Sequence, residues 1–152
     1  MNAWVLNQTI RRIFAFLFIL FILNKLIIRP WVLEHSSSEL LEILVLSLPN
    51  FIEAFMGSTV IAVFLYYFQT KVTLLRSFSP VLLNLLACVL AAIYVITQEL
   101  KIHNLGGRNV YDPYDLIASI LGLLFTFMVF TSVDFVIRNT IEVNDSNDSF
   151  KK

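Results

Sequence analysis

The sequence predicts an all-α integral membrane helical bundle, with four transmembrane helices and one short interfacial helix. Two observations carry this. Of 152 residues, 58% are hydrophobic and 14% charged, against about 45–50% and about 25% in an ordinary soluble domain. Mean hydropathy is +0.79. The apolar residues also gather into four runs, each near the ~20 residues that a bilayer span requires. A chain of this length cannot bury so much apolar surface in one water-soluble globule. The net charge of +0 excludes a nucleic-acid partner, because no basic excess exists to neutralise phosphates. The single Cys88 excludes a disulfide framework and a cysteine metal cluster. Neither a metal nor a cofactor is expected.

The first span is expected over residues 13–28, after Arg11 and Arg12. Asn24 and Lys25 interrupt its outer third, and a lysine near a helix end snorkels to the headgroups. The chain continues into Arg29-Pro30-Trp31-Val32-Leu33, which offers no small-x-small cleavage site. The segment is therefore an uncleaved anchor, with Pro30 and Trp31 at its interfacial exit. Ser36 with Glu39 three residues on has the form of a capping box. It predicts an interfacial helix over 37–47 that stops before Pro49 and wets its Glu39 and Glu42 edge. The remaining spans are expected over 51–68, 80–100 and 114–137. Residues 1–143 then form one transmembrane domain, and 144–152 a polar cytoplasmic tail. Asp134 and Arg138, four apart, are expected as a helical ion pair.

Basic residues set the orientation. Arg11, Arg12, Lys71, Arg76, Arg138, Lys151 and Lys152 would share one side, and Lys25, Arg29, Lys101 and Arg108 the other. The bias predicts a multi-pass protein of the cell membrane with both termini cytoplasmic. Small residues mark where helices approach closely in lipid. Ala54, Ser58 and Ala62 form one such stripe. Asn84, Cys88 and Ala92, with Ala87 and Ala91 beside them, form a second. Ala118, Gly122 and Thr126 form a third. Asn84, polar in mid-run, is expected to bond a neighbouring helix.

With that topology, Glu53, Glu99, Arg108, Asp112 and Asp115 converge at the outer face. An ionised carboxylate inside an apolar run needs a partner or a watery pocket. Asp112-Pro113-x-Asp115 also has the form of a helix start, with Asp at the N-cap and Pro in the first turn. Gly106-Gly107 reads as a tight turn. Arg108 either pairs with Glu99 or Asp115, or grips an anionic ligand through its planar fork. His103 reads as an exposed loop residue.

These residues resemble the VanZ-like family of small membrane proteins. The likeness rests on Glu99, Arg108 nine residues later after Gly107, the acidic pair Asp112 and Asp115, and Ser119-Ile120-Leu121-Gly122. The start of the second span, Leu48-Pro49-Asn50, is similar to the family's Pro-Asp entry. The sequence departs from the family pattern at Asn50, Ala54, Ile102 and Ser119. The resemblance implies a protein of the bacterial cell envelope connected with resistance to the glycopeptide teicoplanin. The residues leave three functions open. One is a binding protein whose outer site, Glu53, Glu99, Arg108, Asp112 and Asp115, engages a lipid headgroup, cell-wall precursor or glycopeptide antibiotic. The second is a small membrane enzyme acting on a lipid-linked substrate. The third is a transporter subunit.

Overall fold

The computed structural model describes residues 4–99, 112–133 and 135–138. The fold is all-α. Four helical stretches are long and apolar enough to cross a membrane: Gln8–His35, Glu39–Lys71, Pro80–Gln98 and Pro113–Ser132. Large apolar side chains such as Phe16, Leu26, Phe64, Leu124 and Met128 lie on the outside. A water-soluble protein does not expose a belt of that kind.

The first stretch is longer than the sequence predicts. Asn7 caps helix α1 (Gln8–Leu23), its side chain accepting from the Thr9 N–H at 2.9 Å. A π-helical turn, Asn24–Ile28, comes next, and then α2 (Arg29–His35). Pro30 therefore does not end the span. Its ring lacks an N–H and crowds the carbonyl one turn back. The wide π turn directly before it, closed by Arg29 N–H to Asn24 O, relieves that crowding. The turn leaves a mark in the spacing of the buried stripe. Ile10, Leu17 and Asn24 are seven apart, but Val32 comes after eight.

The expected interfacial helix over 37–47 and the span over 51–68 are one element, α3 (Glu39–Lys71), with Pro49 inside it. Proline breaks a helix only when the lost bond and the ring clash outweigh packing. Here Val45, Ser47, Pro49 and Ile52 are all buried, so tertiary contact carries the helix through. The capping box does not form. Ser38 occupies the N-cap without a side-chain bond, and the Ser36 hydroxyl instead accepts from the Ser38 N–H at 3.1 Å. At about 1.5 Å per residue, thirty-three residues exceed a hydrocarbon core of roughly 30 Å.

A tight connection leads on, with α4 (Thr73–Arg76). Gln69 donates to Phe78 O at 3.0 Å and Arg76 to Thr70 O at 3.1 Å. Ser79 caps the next helix, α5 (Pro80–Glu99), by accepting from Leu82 N–H at 3.3 Å. The last helix, α6, covers Pro113–Ser132. It stops five residues short of the expected 137. Val136–Arg138 is instead a strand, β2, antiparallel to β1 (Trp4–Leu6), with Val5 opposite Ile137. Val133, Val136 and Ile137 are β-branched and favour extended backbone. Arg138 thus lies in a strand and not in the helix expected there; Asp134, its expected partner, lies outside the described residues. Asn7 N–H to Phe135 O at 3.0 Å adds a further bond between the two ends.

Packing tracks the small-residue stripes. Ala54, Ser58 and Ala62 are fully buried on α3, Ala87 and Ala91 on α5, and Gly122 and Thr126 on α6. Ala54, Ala91 and Leu123 form one cluster where the three helices meet. Asn84 does what its position predicts. Its Oδ1 accepts from Tyr66 OH at 3.1 Å and its Nδ2 donates to Phe130 O at 3.2 Å, which ties α3, α5 and α6 together. Ile10, Ala62, Tyr66, Leu83, Phe130 and Phe135 close the end near the β1–β2 pair. Leu17 of α1 packs on Ile52 and Phe55. These contacts make α3 and α6 parallel, with α1 and α5 running the other way.

Candidate functional site

Three inward stripes change character toward the end of the bundle that holds the start of α6. On α1 the stripe runs Ile10, Leu17, Asn24, and on α3 it runs Ala62, Ser58, Ala54, Ser47. On α6 it runs Phe130, Thr126, Gly122, Ser119, Asp115. The Leu17, Ala54 and Gly122 positions mark one level. Seven residues further, about 10 Å along each axis, stand Asn24, Ser47 and Asp115. Ser119 lies between. Asn24 is 0% exposed, Ser119 1% and Ser47 6%.

None of the four has a hydrogen-bond partner for its buried side-chain atoms. Asn24 Nδ2 and Oδ1, Ser47 Oγ, Ser119 Oγ and Asp115 Oδ1 are all unsatisfied. The other buried hydroxyls, deeper in the bundle, behave differently. Ser58 Oγ donates to Ala54 O at 2.8 Å, Thr59 to Phe55 O at 2.8 Å and Thr126 to Gly122 O at 2.7 Å. A serine in a helix has the carbonyl four residues back within reach, yet Ser47 and Ser119 leave theirs unused. Each buried, unpaired polar group costs about 1–3 kcal/mol. Four toward one end of the bundle, with the deeper polar groups paired, point to a site that is completed by something polar from outside the bundle.

The local sequence explains how the groups are placed. Asn24 opens the π turn, a distortion that is frequent at functional sites. Asp112 is the N-cap of α6, its Oδ1 accepting from Tyr114 N–H at 2.9 Å. That bond occupies it as a cap and sets the start of the helix. Asp115, one turn on, then lies in the first turn of that helix.

The sequence-predicted site residues divide. Asp112 and Asp115 lie together at the start of α6. Glu53 stands beside Ala54 but is exposed. The charge that bears on it is Lys25, whose ammonium also lies 5.2 Å from the centre of the Phe21 ring. Glu99 is the last residue of α5, with its side chain outside the described residues. Arg108, His103 and the Gly106-Gly107 turn lie outside them altogether. Sequence reasoning missed Asn24, Ser47 and Ser119 as site residues; Ser119 entered it only as part of the family pattern. The signal for Asn24 was present: it falls seven residues beyond Leu17 on the inward stripe, as Asn84 falls inward on α5.

The chemistry on offer is an amide, two hydroxyls and a carboxylate. Together they accept from hydroxyl or amide donors and return hydrogen bonds through Asn24 and the serines. Among the described residues Ser119 has no histidine beside it. His35 Nδ1 is engaged at 3.1 Å with Trp31 O, and its ring stacks on Trp31. No group of three or more metal-ligating side chains occurs among the described residues. No family model matches the chain, and no curated protein or solved structure does.

Proposed function

We propose that the chain is a VanZ-like multi-pass protein of the bacterial cell envelope. Its polar level binds the hydroxyl- and amide-rich part of a lipid headgroup, cell-wall precursor or glycopeptide. The single observation that carries the binding reading is the set of unpartnered side chains Asn24, Ser47, Asp115 and Ser119. The order Glu99, Arg108, Asp112, Asp115, Ser119 and Gly122 supports the family reading. The direct test is the teicoplanin susceptibility of cells with and without the protein, and with Asp115→Asn in its place. Protection by the native chain and its loss in the variant, at equal membrane levels, is the expected result. Equal susceptibility with and without the native chain removes glycopeptides from the reading.

Both termini lie in the cytoplasm in this proposal. Arg11, Arg12, Lys71, Arg76 and Arg138 support it, since they share the half that holds the β1–β2 pair and the α3–α5 connection. The described carboxylates Glu34, Glu39, Glu42, Glu53, Glu99, Asp112 and Asp115 belong to the other half. Excess Lys and Arg mark the cytoplasmic side. A cysteine at Ser37 is expected to react with an impermeant thiol reagent in intact cells, and one at Thr73 only after lysis. Buried Cys88 serves as the silent background. The reverse pattern would put the polar site on the cytoplasmic face.

A further inference from the structure

On the opposite half of the bundle, α1 and α3 leave an open groove of about 380 Å³. Phe14, Val60, Val63 and Phe64 line it, and Arg11 stands among them. Thr59 also borders it, but its hydroxyl is turned to Phe55 O, so the groove presents almost only carbon. Arg11 lies in the first turn of α1, is exposed, and has no ion pair among the described residues. Arg12 is its neighbour in the chain. The described carboxylates all belong to the other half, so no described acidic side chain competes for this arginine.

We propose that this groove holds one acyl chain of an anionic phospholipid, with the lipid phosphate on Arg11. The apolar walls take a hydrocarbon chain, and the guanidinium fork matches a phosphate in two parallel hydrogen bonds. Arg11 favours an acidic headgroup over a zwitterionic one, by about fivefold for one basic residue at a membrane surface. The site lies at the other end of the bundle from Asn24, Ser47, Asp115 and Ser119, and it does not depend on their function.

The test uses the full chain in detergent, offered an equimolar mixture of phosphatidylglycerol and phosphatidylcholine with identical acyl chains. Bound lipid is read by native mass spectrometry. The native chain is expected to retain phosphatidylglycerol over phosphatidylcholine by about fivefold, and R11Q to hold the two equally. Val60→Trp, which places a ring in the groove from a position 45% exposed, is expected to reduce both lipids. Equal retention by the native chain overturns the proposal, and so does a preference that survives R11Q. R11Q alters an exposed side chain, so its result stands whether or not the tryptophan variant folds.

Discussion

Gly122→Leu is expected to yield no folded protein. Gly122→Ala folds with a clearly lowered melting temperature, and Leu124→Ala leaves that temperature unchanged. A Cβ at Gly122 would stand 3.0 Å from Ala54 Cβ and 3.1 Å from the Phe51 carbonyl carbon, with the Phe51 carbonyl oxygen closer still. Two of these atoms are backbone and the third is a methyl without rotamers, so none can swing aside. Overpacking in a well-packed interior costs about 1–3 kcal/mol, and more when the backbone must move. In lipid the loss is severe, because close backbone approach is itself a large part of what holds helices together. Leu124 is 56% exposed and faces outward. Gly57 is the internal control. Nothing lies within 4 Å of its Cβ position. Gly57→Ala is therefore expected to stabilise by roughly 0.5–1 kcal/mol through helix propensity alone. Thermal unfolding in detergent, monitored by circular dichroism, checks all four.

Under the proposed function, the triple variant Asn24→Leu, Ser47→Ala, Ser119→Ala is expected to remove teicoplanin protection while the protein still folds. Each change replaces an unpartnered polar side chain by an apolar one of similar or smaller size. The variant loses the capacity to bond a polar guest. The bundle loses no internal bond, since none involves these atoms. The expected outcome is teicoplanin susceptibility like that of cells lacking the protein, with unchanged membrane levels. Retained protection would mean that these three side chains do not form the binding site.

Composition and the four apolar runs suffice for the fold class, because both reflect the need to satisfy the backbone inside lipid. Boundaries are less legible. Pro30 and Pro49 each look like a stop, yet both lie inside helices, one eased by a π turn and the other held by buried neighbours. Those contacts come from other helices, and local sequence cannot report them. The seams at Ala54, Ala91 and Gly122 are readable from four-residue spacing. The end of α6 is not, because Val136 and Ile137 are apolar enough to extend a span, while their pairing with the N-terminal strand is a long-range event. At the site, Asp112 and Asp115 are legible as a helix start. Asn24 is masked by its neighbour Lys25, which invites a reading of both as interfacial. Ser47 falls in a segment whose pattern suggests a separate interfacial helix, where a buried role is not expected.

Buried polar groups in this bundle serve two different ends. Asn84 ties helices together, whereas Asn24 waits for a partner from outside. The melting temperatures of Asn24→Leu and Asn84→Leu in the same detergent test this most directly. Asn84→Leu breaks bonds to Tyr66 and Phe130 and leaves the Phe130 carbonyl short of a donor, so its melting temperature should fall. Asn24→Leu removes an unsatisfied amide, a relief of about 1–3 kcal/mol, so its melting temperature should rise. Shifts of opposite sign are the predicted result. A fall in both, by similar amounts, would mean that Asn24 is a structural tie like Asn84 and that no partner from outside is needed to satisfy it.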